Sequence, residues 1–398
     1  MNSKWVLAAV AVAVLLFTSS VVVLGSEDTE ATEAGTAEDF ESILQGDGTY
    51  KTIDLTANIT FDGNVNISKR VTIDLNGYDI TFSSGGFVVT NRLTVQDSNA
   101  SDGPVVDSNY DVEYNSGCIS SPGVTIRAVN GGTVNIQSGH IESGDIALYA
   151  GGNTTPGGTG ISSSVTVTGG YITSQEFALS PQGNGASVTV SGGVLEARDN
   201  AVIGGNGTMN VTTDLGGTSI TVSGGTLIGH ITTSGYVACG IYAPNHGSVT
   251  VTGGTIYANG GVGILARAGT VEILDGDIIA TGGDDILGMV GDSRVVVTAS
   301  AVIVDEEAGY TGADNGNDLS ITIRGGHLSS EIDGVVRQIG GDSATTPRIL
   351  VDGGYFSSAP GDDFLRGNIF NTTTGEVTIP LDDAVVVVND TIGYPSLY

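Results

Sequence analysis

The chain repeats itself, and that restricts its fold more than any other property. An eight-residue cassette, apolar-x-apolar-x-small-small-x-apolar, occurs as VNIQSGHI from Val134, VTVTGGYI from Val165, VTVSGGVL from Val188, ITVSGGTL from Ile220 and VTVTGGTI from Val249. It continues as VEILDGDI from Val271, VVVTASAV from Val295, ITIRGGHL from Ile321 and ILVDGGYF from Ile349. Successive cassettes start 22 to 32 residues apart. A period in this range that drifts in length belongs to solenoids, in which insertions enter loops and leave the stacked strand in place. The first and third cassette positions are apolar and the second and fourth mostly polar, the period of a half-buried strand. The Gly-Gly pair then bends the chain, because glycine tolerates positive φ and close backbone approach.

A second short apolar cassette falls between the first ones: IALYA at Ile146, FALS at Phe177, AVIG at Ala201, GIYA at Gly240, GILA at Gly263, ILG at Ile286 and GVV at Gly334. Two strand cassettes per repeat predict a coil that winds around an axis. Between Val302 and Leu319 the second cassette is missing, and DEEAGYTGADNGND from Asp305 reads as an inserted loop.

The 13 Lys and Arg against 44 Asp and Glu give a net charge of −31, which repels a polyanion and excludes a nucleic-acid partner. With 39% hydrophobic and only 14% charged residues the chain can bury a core and does not fit the disordered class. Lys4 precedes an apolar stretch from Val6 to Phe17 and a second from Val21 to Leu24, followed by Gly25, Ser26 and an acidic segment. Residues 1–26 therefore read as a secretory signal with Val23 and Gly25 at the −3 and −1 positions, or as an uncleaved N-terminal anchor. Either reading places the rest outside, secreted or at the cell surface, with no other apolar run of spanning length. Eight Asn-x-Ser/Thr sequons, at Asn58, Asn66, Asn99, Asn153, Asn206, Asn210, Asn371 and Asn389, are candidate glycosylation sites of an exported protein.

Both ends of a solenoid expose strand edges and apolar core, so caps are expected. Residues 27–36 read as an acidic linker. Thr36 as N-cap, Glu38 and Asp39 in the first turn, and Phe40, Ile43 and Leu44 at helical spacing predict a capping helix over 37–45. The solenoid with this cap is expected to span 37–358, and 359–398 to form an irregular C-terminal cap with strands in VTIP and AVVVVND. Cys118 and Cys239 stand about four coils apart, roughly 19 Å at ~4.8 Å per coil, beyond the ~7 Å reach of a disulfide. They read as free thiols in small-residue core positions.

The run VTIDLNGYDI from Val71, the repeated VTVSGGTI-type cassettes and the closing GGYFSS at Gly353 resemble right-handed parallel β-helix proteins of pectin-lyase-like architecture. More narrowly, they are similar to adhesin-like surface proteins of bacteria and archaea, over about residues 50 to 358. The resemblance implies an all-β solenoid and a structural or adhesin-like role toward extracellular glycans or envelope proteins. Binders, enzymes and scaffolds share the architecture, so it is nearly silent about activity.

Enzymes of this architecture include pectate lyases and polygalacturonases, which makes a polysaccharide lyase or glycoside hydrolase the alternative. Glycoside hydrolysis needs two carboxylates across the bond. The candidate pairs are Asp284 with Asp285, Asp362 with Asp363, and Asp382 with Asp383; adjacent residues of a strand face opposite ways, so even the first makes a poor dyad. The Asn-Thr-Asp, Gly-His-Gly and Arg-Ile-Lys motifs of the polygalacturonase pattern are absent. No cofactor is expected. Asp314, Asn317 and Asp318, with Glu306 and Glu307 nearby, offer oxygen ligands for Ca²⁺, against a plain solvated acidic loop. His140, His230, His246 and His327 are scattered, and no metal cluster is read from them. Thr166 with Thr168, Thr189 with Ser191, Thr221 with Ser223 and Thr250 with Thr252 would stack as two hydroxyl ladders. Such arrays occur in ice-binding solenoids, though threonine also favours strands for its own sake. Tyr171 and Tyr355 fall at the outward seventh position, and Tyr149 and Tyr242 in the second cassette.

Overall fold

The structure, a computed structural model, describes residues 31–152, 161–204, 217–231, 235–244, 246–283, 286–290, 293–306, 319–378, 386–388 and 392–394. The expected signal or anchor lies outside the described residues.

The fold is all-β with long parallel sheets, an architecture compatible with a β-helix-like solenoid. The first half of each coil is a strand on one large sheet, and a ten-stranded sheet, parallel throughout, takes the last strand of each coil from Val65–Ile67 to Val336–Ile339. The cassettes define the register. Val134, Val165, Val188, Ile220, Val249, Val271, Ile321 and Ile349 are partners in one row. Three further coils precede them, with first strands Tyr50–Leu55, Arg70–Asp74 and Arg92–Gln96. Eleven such rungs at ~4.8 Å span about 50 Å.

The cassette at Val295 is not a rung. Ser293–Val297 pairs antiparallel with Ile286–Val290, and Ser300–Asp305 joins the ten-stranded sheet, while Thr270–Thr281 pairs directly with Ser320–Ile323. The missing second cassette is thus SAVIVD at Ser300, and ILG at Ile286 belongs to the hairpin. A hairpin strand has the same two-residue period as a coil strand, so alternation alone could not separate them.

Inside the coils the apolar rows are dry: Val167, Val190, Val222 and Val251 are fully buried, and Thr166, Thr189, Thr221 and Thr250 beside them face outward. The glycine pair works by both of its properties. A Cβ on Gly192 would stand 2.3 Å from the Thr168 carbonyl oxygen of the coil before it, and Gly193 has φ 78°.

The capping helix runs Ala37–Gln45, with Thr36 Oγ1 accepting from Asp39 N at 3.1 Å. Its Phe40 is fully buried against Phe61 and Phe87 at ring distances of 5.4 and 6.0 Å, closing the first coil. The described part of the expected linker is a strand: Thr32–Ala34 runs parallel to Ile53–Leu55 and satisfies an edge that a free linker would leave open. At the other end Glu376–Thr378 turns antiparallel onto Gly354–Phe356, and Phe364 and Leu365 of a short helix, Asp362–Leu365, pack on the core.

Two arms leave the coils and fold back over their outside. The first, residues 97–117, carries the hairpin Val105–Val106 with Val112–Glu113, and its Val106, Tyr110 and Val112 pack on Val194, Ile228 and Tyr257. The second is the Ile286–Val297 hairpin, whose Val290, Val295 and Val297 pack on Cys239, Tyr242, Val262, Leu265 and Ile303 of the ten-stranded sheet. Both thiols are free and neither lies inside the coils. Cys118 is half-buried on the outward row beside His140, and Cys239 is buried beneath the second arm.

Candidate functional site

Three successive coils turn from the large sheet into the ten-stranded sheet at a serine. Ser121 Oγ donates to Gly85 O at 2.6 Å and accepts from Gly123 N at 3.1 Å. One coil on, Ser143 Oγ donates to Gly123 O and accepts from Asp145 N, and Ser174 Oγ donates to Asp145 O and accepts from Glu176 N. The hydroxyl satisfies a turn amide and a carbonyl of the neighbouring coil together, so these serines hold the corner.

The residues after those serines shape the surface: Pro122, Gly144, Gln175 and, after Ala197, Arg198. Gly144 is required there, since a Cβ would stand 2.6 Å from Pro122 O. Its missing side chain leaves a gap that continues into a cleft of about 410 Å³ lined by Ser120, Pro122, Glu142, Thr173, Gln175 and Arg198, with the corner serines behind.

One outward row supplies the chemistry. Ser120, Glu142, Thr173 and Glu196 are register partners on four successive coils, with Cys118, His140 and Tyr171 on the row beside them. His140 Nε2 and Thr173 Oγ1 stand 2.8 Å apart, and the His140 ring stacks on Tyr171 at 4.8 Å and 15°. Tyr171 donates its hydroxyl to Glu196 Oε2, and Arg198 Nε donates to Glu196 Oε1 at 3.3 Å. Burial, with the Arg198 charge helping, lowers the His140 pKa despite the Glu142, Glu196 and Asp79 carboxylates. Burial and the bond to Glu196 raise that of Tyr171. Burial, with Glu142 and Asp79, pushes the Cys118 thiol up to about 12, so it is no nucleophile at neutral pH. The buried Glu196 has each oxygen engaged, whereas Glu142 is exposed at the cleft. An acid and base pair needs two carboxylates open to the substrate, and this arrangement offers one.

The sequence candidates fall elsewhere. Asp284, Asp285, Asp314, Asn317 and Asp318 lie outside the described residues, as do Glu307, Asp382 and Asp383. Asp362 and Asp363 open the short C-terminal helix, where Asp363 Oδ2 accepts from Ser343 Oγ at 2.7 Å. Glu306 is bonded to Arg348 and Gln338. Among the described residues no three His, Cys, Asp or Glu side chains are grouped to hold a metal ion, and no helix is long and apolar enough to cross a membrane. His327 pairs with Asp277 at 3.2 Å and stacks on Tyr355, far along the row from His140. Of the sequons, Asn58, Asn66, Asn99 and Asn371 are exposed, and the Asn99 amide also donates to Asn76 O and Oδ1 in a ladder between coils. Asn153, Asn206, Asn210 and Asn389 lie outside the described residues.

The first threonine ladder forms and is longer than the cassettes suggest, because Thr52, Thr72 and Thr94 precede Asn135 on the same row. The second does not keep register: Ser191 partners Gly224, Ser223 partners Gly253 and Thr252 partners Asp275, a slip at the bulged corner. Two flat hydroxyl columns are therefore not presented.

No aspartate doublet lines the cleft, so pairs of acidic residues in the sequence do not point to it. Its signal was the residue immediately after each cassette: Glu142, Thr173 and Glu196, aligned once the cassettes are aligned. Comparison of the chain with protein families, with curated proteins and with solved structures finds no match.

Proposed function

We propose that this chain is an exported, non-catalytic surface protein, a right-handed parallel β-helix with an adhesin-like role, and that its corner cleft binds a glycan. The observation that carries the reading is the cleft: a carboxylate, a guanidinium, an amide and hydroxyls converge from successive coils on one gap beside an apolar proline edge. Planar polar groups over a rigid wall are what recognition of a polyhydroxylated ligand requires. The signal-like segment, the exposed sequons and the acidic surface support the extracellular setting.

Hydrolysis is the second reading, because Glu142 and Glu196 share a row two rungs apart, about 10 Å between Cα atoms. The full engagement of Glu196 weighs against it. A glycan array probed with the protein, with reducing-sugar release assayed in parallel, tests both. Binding without release is expected, and Ser120→Trp, which fills the cleft from an outward position, should abolish it without changing the melting temperature. Release that disappears in Glu196→Gln would establish the hydrolase instead, and binding untouched by Ser120→Trp would remove the cleft from the account.

A further inference from the structure

The charges of the cleft discriminate among glycans, an argument that rests on the glycan reading above. Arg198 is the cation of the lining, and its guanidinium is bonded to Glu196 at 3.3 Å. Glu142 lines the same cleft, is exposed, and has no ion pair with Lys or Arg among the described residues. The Asp79, Glu142 and Glu196 carboxylates and the Arg198 guanidinium all act electrostatically on His140. Burial holds that ring toward its neutral form.

The hydroxyls of Ser121, Ser143 and Ser174 are committed to the corner turns. Discrimination therefore falls to Glu142. A uronate would bring a second carboxylate against it, in a chain of net charge −31. A neutral sugar would cover Glu142 while leaving its charge unmatched, at a cost in desolvation. A sugar bearing a primary ammonium would replace the lost water with a charge-assisted hydrogen bond.

We infer that the cleft selects amino sugars with a free ammonium group, and that Glu142 is the specificity-determining residue. The volume of about 410 Å³ lies at the small end of ligand sites, which suits a short stretch of the oligosaccharide.

Calorimetric titration of the full chain with three tetrasaccharides tests this: β-1,4-linked glucosamine, its fully N-acetylated counterpart and α-1,4-linked galacturonate, at about 0.15 M salt and a pH that keeps the amines protonated. The glucosamine tetramer should bind about tenfold or more tighter than the acetylated one, and galacturonate should not bind. Glu142→Gln should abolish that preference and leave the acetylated tetramer unaffected. Glu41→Gln, which removes an exposed charge on the capping helix, should change nothing and so separates the cleft from general attraction to an acidic surface. Equal binding of the acetylated and free amines overturns the inference and leaves the glycan reading standing. So does preference for galacturonate, or a preference for glucosamine that survives Glu142→Gln. Failure of all three tetrasaccharides overturns the inference, and the array then decides the glycan reading independently.

Discussion

The coils before and after about residue 200 are alike inside and differ outside. On the ten-stranded sheet the outward row of the earlier coils reads Asn66, Val88, Arg127, Tyr149 and Ser180, with Asn66 and Arg127 exposed. In the later coils the same row passes Gly204 and reads Tyr242, Leu265 and Ile303, all buried beneath the second arm, before it ends at the half-buried Arg337. The large sheet repeats the contrast. Glu142, Thr173 and Glu196 give way along their row to Ile228, Tyr257 and Ile279, which lie under the first arm, and Tyr110 stacks on Tyr257 at 3.7 Å and 7°. A parallel strand covered on both faces loses its alternation and becomes apolar throughout, as ACGIYA and GVGILA do. The arms cover the outer rows of later coils, and the cleft lies on the earlier side, where the row is polar.

The largest effect should come from a charge placed on each kind of row. Leu265→Asp buries a carboxylate between sheet and arm and should cost several kcal/mol, whereas Arg127→Asp on the open part should cost under ~1 kcal/mol. On the inward row the two halves should respond alike, with Ile126→Asp and Ile264→Asp both severe. Urea melts of the four variants check this, and an Arg127→Asp as damaging as Leu265→Asp would mean that the outside of the two halves is not different.

Next in size is the buried ion pair of the covered half. Arg267, only 2% exposed, donates from Nε and Nη2 to Asp305 Oδ2 at 3.0 and 2.8 Å and from Nη1 to Tyr242 OH at 2.8 Å. Burial works against its charge, but Tyr242 and Asp305 outweigh it and its pKa is raised. Arg267→Ala should cost about 3–5 kcal/mol by taking the guanidinium away from the buried Asp305, while Arg267→Met combined with Asp305→Leu should recover most of that loss. A double variant no more stable than Arg267→Ala would mean that the loss does not come from the charge left behind at Asp305.

A smaller effect tests the arm from its own side. Val297 is 2% exposed and Val296 is 56% exposed, on neighbouring positions of one strand. Val297→Ser should cost about 1–2 kcal/mol, and Val296→Ser nearly nothing. Equal losses in thermal melts would show that the hairpin is not seated on the sheet by the face described.

This seating marks where the sequence stopped being readable. The inward rows, the outward threonines, the glycine corners and the capping helix each follow from a local rule acting on neighbouring residues. Whether a strand such as VVVTAS at Val295 stacks as a rung or folds back as a cover depends on contacts with residues some thirty to sixty positions earlier, such as Cys239 and Leu265. Its period of two is the same in both. The cleft lies between these cases: its residues are aligned by the cassettes, but the gap itself depends on Gly144 approaching Pro122 of the coil before.

The two thiols report on the halves separately and at no cost to stability. Cys118 lies on the open row and Cys239 beneath the second arm, four coils further on, so no bridge can join them and a reducing agent should leave the melting temperature unchanged. Burial pushes both pKa values up to about 12, which keeps the thiols protonated and slow to react at neutral pH. They differ in access, because a reagent reaches half-buried Cys118 by local fluctuation, whereas Cys239 is fully buried and requires the arm to lift. Alkylation of the native protein, followed by mass spectrometry, should therefore modify Cys118 first. Val297→Ser, by weakening the seat of the arm, should accelerate Cys239 and leave Cys118 as it was. Modification of Cys239 as fast as Cys118 in the unaltered protein, or a bridge between the two, would show that the arm does not cover the sheet or that the coil register is wrong.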